Sequence, residues 1–146
     1  LKIVNKQSNS SLSMIKNEYN ILKSLQDEGL QHPNLIQVYH YREFKDYYIL
    51  AMELAEGDSL ESFISERKHS SPSKSSDKKF FQDEPAQNFP LSDEETALVI
   101  KQIMSAVGHL HSNNILHRDL KPGNILLREK NNLKSIVVSD LGLAIQ

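Results

Sequence analysis

The sequence predicts an α+β fold, in which helices alternate with two pairs of antiparallel strands. Three observations support this prediction. Two β-rich runs flank a polar turn in the first half of the chain, and apolar residues recur at helical spacing on both sides of that hairpin. Near residue 120, a polar loop lies between two short apolar runs. With 146 residues, the chain is long enough to bury a real core.

The first strand is predicted at Leu1–Val4, a short apolar run with Lys2 in its middle. The polar, serine-rich stretch 5–13 is predicted to be a loop. From Met14 to Leu25 the apolar residues follow a helical period, and Gly29 is expected to end that helix.

Glu18 lies on the apolar face of this helix, between Ile15 and Leu22. The residues one turn away from it carry no positive charge, so a local salt bridge is not available. A carboxylate on an apolar face needs a partner, because an unpaired charge is costly to bury. The sequence therefore predicts that Glu18 pairs with a cation from another part of the fold.

A hairpin is predicted next, with strands at Leu35–Tyr41 and Tyr47–Met52. A short helix should follow and end near Arg67. From about residue 68 to about residue 90, serine, lysine and proline dominate without any apolar period, which predicts a disordered or mobile insert. A solvated linker is the favoured interpretation; a phosphorylation site at Ser71–Pro72 or a docking segment is the alternative.

The third helix is predicted from Ser92 to Leu110. Ser92 and Glu95 have the spacing of a capping box, in which each side chain bonds the other residue's backbone N–H. The apolar residues that follow are interpreted as a core-facing stripe, and they are Ala97, Ile100, Met104, Val107 and Leu110.

The polar loop that follows, residues 117–124, reads His-Arg-Asp-Leu-Lys-Pro-Gly-Asn. Its spacing lets the carboxylate of Asp119 and the amide of Asn124 converge on one point. A carboxylate can accept a proton from a hydroxyl nucleophile, and an asparagine oxygen can bind Mg²⁺. Lys121 can offset the charge of a phosphoryl group.

This loop resembles the catalytic loop of eukaryotic protein kinases, and Lys121 is typical of the serine/threonine type. The competing interpretation is a charged surface loop. The resemblance implies a two-lobed, protein-kinase-like fold that is incomplete in this chain. Residues 1–52 would form part of the small lobe, and residues 53–146 would form the hinge and part of the large lobe, with the insert at about 68–90.

The resemblance also implies a lysine–glutamate pair. In protein kinases, a strand lysine pairs with a helix glutamate and holds phosphates of ATP. Lys2 and Glu18 match these positions, although the usual apolar lead-in to the lysine is reduced to Leu1. The alternative is that Lys2 is an ordinary strand lysine.

For the adenine pocket, the resemblance implies four positions. Met52 would be the gatekeeper at the back of the pocket, and backbone groups of Glu53 and Ala55 would bond adenine. Leu126 would lie beneath the adenine ring.

A second hairpin, Ile125–Leu127 with Ile136–Val138, leads to Asp140-Leu141-Gly142, which resembles the family's Asp-Phe-Gly motif. The resemblance implies that Asp140 and Asn124 hold Mg²⁺, while Asp119 orients the acceptor hydroxyl and takes its proton.

The function implied is an ATP- and Mg²⁺-dependent protein serine/threonine kinase that acts on a protein hydroxyl, with self-association or autophosphorylation as a further option. The alternative is a pseudokinase that acts as a binding or scaffold module. Several runs also resemble the stress-sensor kinase-endoribonucleases of the endoplasmic reticulum. As it stands, this chain is expected to be inactive alone, as a fragment of the catalytic domain.

Composition excludes several other classes. The net charge is −2 without a dominant basic face, so nucleic acid is not indicated as a partner. The chain has no cysteine, which rules out a disulfide framework. No apolar run reaches the length of a membrane span. An intracellular location, in the cytosol or facing it, is expected.

Overall fold

The structure is a computed structural model that describes residues 1–6, 9–70 and 90–146. The strands are β1 Lys2–Asn5, β2 Val38–Glu43, β3 Tyr47–Met52, β4 Ile125–Leu127 and β5 Ile136–Val138. The helices are α1 Asn9–Asp27, α2 Leu60–Ser70 and α3 Asp93–Ser112. This arrangement confirms the predicted α+β class. None of the described helices is long and apolar enough to cross a membrane.

The first sheet is antiparallel with the order β1-β3-β2, so the predicted hairpin is present and β1 is added to its outer side. Leu50 at the centre of β3 pairs with Lys2 on one side and Tyr41 on the other, and it is fully buried. The first hairpin strand begins at Val38, not at Leu35 as predicted. Leu35 instead forms a parallel bridge to Val138, which joins the two sheets.

The second sheet consists of β4 and β5, as predicted. Its antiparallel register places Ile125 opposite Val138 and Leu127 opposite Ile136. All residues of β5 are buried, and α3 packs against this strand. The pair follows the polar loop 117–124 and leads to Asp140, so it determines where both segments lie.

Helix α1 ends as predicted at Gly29, which has a left-handed backbone with φ 72°. The Gly29 N–H donates to Gln26 O at 3.1 Å, and the Leu30 N–H reaches back to Leu25 O at 2.7 Å. These two bonds satisfy carbonyl groups of the last turn in the pattern of a Schellman motif.

The start of α1 differs from the prediction. The stretch 5–13 is not a loop throughout, because the helix already begins at Asn9. Leu12 packs against the core one turn before Ile15, so the apolar face is longer than the serine-rich composition suggests. Packing of an apolar face outweighs the weak helix propensity of serine.

Helix α3 begins with the predicted capping box. The Glu95 N–H donates to Ser92 Oγ at 3.2 Å, and the Ser92 N–H donates to Glu95 Oε2 at 3.0 Å.

The predicted core stripe of α3 is wrong in its first three members. Ala97 is exposed, as are Ile100 and Met104 at 51% and 60%; only Val107 and Leu110 are buried. The buried residues of α3 also include Val99 and Ala106, with the half-buried Gln102 between them, and Gln102 Nε2 donates to Leu133 O at 2.7 Å. The helical period alone fits two neighbouring stripes of α3, and the polar Gln102 made the correct stripe look less apolar than the wrong one.

Helix α2 continues to Ser70, so it does not end near Arg67 and the first residues of the predicted insert are helical. Leu60 and Phe63 bury its inner face, and the Ser59 hydroxyl accepts the Ser62 N–H at 3.1 Å. Most of the predicted insert, including Ser71–Pro72, lies outside the described residues.

A pair of histidines joins the segment after α1 to α3. His32 Nδ1 accepts the Asn34 N–H at 3.1 Å, so its Nε2 carries the proton and donates to Ser105 Oγ at 3.0 Å. The His32 and His109 rings are 5.1 Å apart. Partial burial lowers the pKa of His32, and the charge of His109 lowers it further.

We therefore expect the protein to lose stability when the pH falls from about 7.5 to about 5.5, because the unfolded state binds more protons there. The contribution of His32 is present above its ordinary pKa of 6.5 and is lost as the pH falls through the lower folded value. Denaturant unfolding at both pH values should show a smaller loss in His32→Gln. His111→Gln, at an exposed position of α3, is the control. Equal losses in all three proteins would contradict the expectation.

Candidate active site

Lys2 joins three separate segments of the chain. Its Nζ donates to Glu18 Oε2 at 2.8 Å and to Asp140 Oδ1 at 2.9 Å. The predicted Lys2–Glu18 contact is therefore present, and Asp140 is a second partner. Glu18 is only 1% exposed, so removal of the lysine would leave a buried, uncompensated carboxylate.

The ionisation of Lys2 follows from these contacts. Burial by itself lowers the pKa of Lys2, but the negative charge of Glu18 and hydrogen bonds to Glu18 and Asp140 raise it above its ordinary value. Lys2 is therefore an ammonium ion at neutral pH. An ammonium group has three N–H donors, so one remains after the two carboxylates are bonded.

Asp140 is turned outward by its backbone. It has a left-handed conformation with φ 62° and ψ 67°, and it precedes a 3-10 turn at Leu141–Leu143. Leu141 is fully buried, whereas the side chain of Asp140 is 42% exposed. Burial of Leu141 therefore anchors the turn while the neighbouring carboxylate stays accessible.

The polar loop brings Asp119 and Asn124 together, as predicted, and Lys121 joins them. Lys121 Nζ donates to Asp119 Oδ2 at 2.7 Å, and Asn124 Nδ2 donates to the same oxygen at 2.9 Å. Asn124 Nδ2 also donates to Asp119 O at 2.8 Å. Because Asn124 uses its side-chain nitrogen for these bonds, its side-chain oxygen Oδ1 points away from Asp119.

These contacts fix the charges of the loop. The hydrogen bond from Lys121 lowers the pKa of Asp119, and the bond from Asn124 lowers it further. The bond to Asp119 raises the pKa of Lys121, and the charge of Asp140 acts on Lys121 in the same direction. Asp119 and Lys121 are both charged at neutral pH, and Lys121 lies within the field of Asp140.

His117 connects the polar loop to the segment before Asp140. It is 2% exposed; its Nδ1 accepts the Asp119 N–H at 3.3 Å, and its Nε2 bonds Ser139 O at 3.0 Å. Ser139 in turn donates its N–H and its hydroxyl to Asn124 O at 2.9 and 3.0 Å. The two polar segments are therefore held together by buried hydrogen bonds.

Glu53 lies directly after β3 and is fixed from several sides. Arg128 donates to both of its carboxylate oxygens at 2.8 and 3.0 Å, and the Gln37 N–H donates to Oε1 at 3.0 Å. The Glu53 N–H bonds Gln37 O at 2.9 Å, so this backbone N–H is not available to a ligand. In the part of the chain that the structure describes, nothing pairs with the Glu53 carbonyl or with the backbone of Ala55.

The segment after Glu53 lies against β4. The Gly57 N–H donates to Leu127 O at 2.9 Å, and Ser59 forms a bridge with Leu126. Leu126 and Met52 are both half-buried at the edge of the core. The structure thus places Leu126 beside the segment that carries Glu53 and Ala55, while Met52 ends the strand before it.

Residues 1–146 match the family described as the protein kinase domain. The chain belongs to this family.

Similar proteins are named as kinases, and one of them is named as a serine/threonine-protein kinase. The chain is 35% identical over 116 residues to serine/threonine-protein kinase PrkC of Bacillus subtilis, which covers 80% of the chain and 14% of that protein. It is 33% identical to calcium-dependent protein kinase 5 of Plasmodium berghei, over 99% of the chain and 21% of that protein. It is 32% identical to myosin light chain kinase A of Dictyostelium discoideum, over 99% of the chain and 41% of that protein. The chain therefore spans less than half the length of these relatives.

Sequence reasoning missed three contacts of this kinase domain. Arg128 follows β4 and carries no sequence signal for its bond to Glu53, which is 75 residues away. Ser139 precedes Asp140, but its bonds to Asn124 depend on the register of β4 and β5. Asn17 precedes Glu18, and its bonds to backbone oxygens of residues 141–144 have no sequence signal because these residues are distant in the chain.

Gly57 offers a direct test of the packing under the segment 53–57. A Cβ at Gly57 would lie 2.5 Å from Glu129 O and 2.7 Å from Leu127 Cβ, so Gly57→Ala should push the segment away from β4. We expect a loss of about 1–3 kcal/mol in the free energy of unfolding. Gly108→Ala is the control, because nothing lies within 4 Å of its added Cβ and alanine favours the helix. Denaturant unfolding measures both, and a stable Gly57→Ala variant would contradict the close approach.

Proposed function

We propose that the protein containing this chain is an ATP-dependent protein serine/threonine kinase, which transfers the γ-phosphoryl group of ATP to a protein hydroxyl. The observation that carries the proposal is the contact of Lys2 with both Glu18 and Asp140, beside the Asp119–Asn124 pair. A cation, two oxygen ligands and a carboxylate that can meet a hydroxyl are the parts that phosphoryl transfer needs.

Protein kinases use ATP together with Mg²⁺. The oxygen atoms of this site fit that ion. After their hydrogen bonds are formed, the side-chain oxygen Oδ1 of Asn124 and one carboxylate oxygen of Asp140 are still available as ligands. When bound, Mg²⁺ would neutralise charge on the phosphates. Asn124 and Asp140 are therefore the proposed ligands.

The roles of the charged residues follow from their contacts. Lys2 would direct its remaining N–H to a phosphate oxygen, and Lys121 would offset charge on the phosphoryl group in transfer. Asp119 Oδ2 is occupied by Lys121 and Asn124, so the other oxygen would meet the substrate hydroxyl. Because the pKa of Asp119 is low, this carboxylate is a weak base, and it would act mainly by orienting the hydroxyl before taking its proton.

For the nucleotide base, we propose that the Glu53 carbonyl and the Ala55 backbone bond adenine. Leu126 would form the floor of the pocket and Met52 its back wall. The bidentate contact of Arg128 with Glu53 supports this role, because it holds the peptide of Glu53 in one orientation.

Further parts of the proposal concern the whole protein. We infer that residues 1–52 and 53–146 belong to two lobes that meet at the hinge, and that the substrates are proteins with serine or threonine hydroxyls. We also propose self-association with autophosphorylation, and a location in the cytosol or facing it. Lys121 supports the serine/threonine assignment, since it lies two residues after Asp119.

The central test uses Asp140→Asn and Asp119→Asn in the full-length protein, with phosphoryl transfer and nucleotide binding both measured. Asp140→Asn should abolish detectable transfer, because an amide does not balance the charge of the metal ion. Asp119→Asn should lower kcat by about 10²–10⁴-fold and leave ATP binding largely intact.

Asp46→Asn, at an exposed position of the turn between β2 and β3, is the control and should behave as wild type. Transfer by Asp140→Asn at a near wild-type rate would overturn the catalytic assignment. Nucleotide binding by a wild-type protein that transfers no phosphate would instead favour a binding module.

The Lys2–Glu18 pair is tested by Glu18→Gln. The amide has the shape of the carboxylate but not its charge, so Lys2 should move toward Asp140. The contact of Lys2 with the phosphates of ATP should then weaken. We expect kcat/KM for ATP to fall at least about tenfold, while the unfolding temperature changes little. Glu28→Gln, at an exposed position after α1, is the matched control. Equal turnover in Glu18→Gln and wild type would show that the pair is not needed.

A further inference from the structure

Asn17, the residue before Glu18 on α1, makes an unusual set of contacts. Its Nδ2 donates to three backbone oxygens of the segment after Asp140, those of Leu141 at 3.3 Å, Gly142 at 3.2 Å and Ala144 at 2.7 Å. One side-chain amide thus gathers the carbonyl groups of the 3-10 turn. Neither the proposed catalysis nor the proposed nucleotide contacts use this residue.

The backbone of this turn also lies close to α1. A Cβ at Gly142 would meet Met14 Cβ at 3.2 Å and Asp140 Oδ1 at 3.4 Å. Glycine therefore lets the helix approach the turn closely enough for Asn17 to reach the carbonyl oxygens. The contact is specific to backbone atoms, so the identities of the side chains in the turn do not explain it.

We propose that Asn17 is a positioning residue that couples the location of α1 to the backbone conformation of Asp140. The inference rests on the proposed function, in which Asp140 is a metal ligand. Glu18 reaches the Asp140 side chain through Lys2, and its neighbour Asn17 reaches the backbone that follows Asp140. Adjacent residues of one helix therefore hold both the carboxylate and its main chain.

The chemistry of the site requires a donor at this position. Three carbonyl oxygens converge on Asn17, and each presents negative partial charge. An amide has two N–H groups and can serve the three acceptors when one N–H is shared, whereas a carboxylate at position 17 would repel them. An apolar side chain would remove the donor from partly buried acceptors, which is also unfavourable. Asn17→Asp and Asn17→Leu therefore remove the same contact in two different ways.

The first measurement is amide hydrogen exchange in the full-length protein without nucleotide. The Ala144 N–H bonds Leu141 O at 3.0 Å, and the Ile145 N–H bonds Leu116 O at 3.0 Å. Asn17→Asp should accelerate exchange of these two amides at least about tenfold, a change of about 1.4 kcal/mol. Exchange in β4 and β5 should stay within about twofold of wild type.

Asn20→Asp is the matched control, because it makes the same change at an exposed position three residues further along α1. It should leave the exchange of Ala144 and Ile145 unchanged. Unchanged exchange in both Asn17 variants, or the same acceleration in Asn20→Asp, would overturn the proposal. This readout requires no activity, so it remains decisive even where the proposed kinase function fails.

The second measurement separates positioning from stability. In the active protein, Asn17→Asp and Asn17→Leu should raise the Mg²⁺ concentration needed for half-maximal transfer by at least about threefold, because Asp140 is no longer held in place. A merely structural role would lower the unfolding temperature and leave the Mg²⁺ requirement of the folded fraction as in wild type. That second outcome would contradict a positioning role.

Discussion

The site depends on a single ammonium group. Glu18 is buried on the apolar face of α1, and a buried carboxylate is tolerated only when a cation accompanies it. Lys2 supplies that cation from β1 and also bonds Asp140, so the strand, the helix and the segment after β5 are fixed relative to one another. Displacement of any one of these three segments would leave a charge without its partner.

The polar loop is positioned by a different principle, namely the hydrogen bonds that the buried residues His117 and Ser139 make with backbone groups. His117 bonds both Asp119 and Ser139, and Ser139 bonds Asn124 twice. Because these groups are buried, breaking one bond leaves a polar atom unsatisfied and costs about 1–3 kcal/mol. The proposed base and the proposed metal ligands therefore share one rigid support on β4 and β5.

Much of this arrangement could be predicted from the sequence, because the residues of the polar loop are contiguous and Glu18 is conspicuous as a charge on an apolar face. The two hairpins and the capping box of α3 are local patterns as well. The buried face of α3 was assigned incorrectly because Gln102 interrupts it and bonds a distant carbonyl. Asn17 and Arg128 were missed for the same reason: their partners lie far along the chain, and only the assembled fold brings them together.

The tautomer of His117 has a practical consequence. Since Nδ1 accepts a backbone N–H and Nε2 lies 3.0 Å from Ser139 O, Nε2 carries a proton and donates for as long as the loop and Ser139 keep their contact. The two ring nitrogens then have clearly different ¹⁵N resonances, and fast exchange between the two tautomers would average them. A single isotope-labelled histidine thus serves as a spectroscopic reporter of whether the interior of the site is assembled, in the absence of nucleotide, metal ion or substrate.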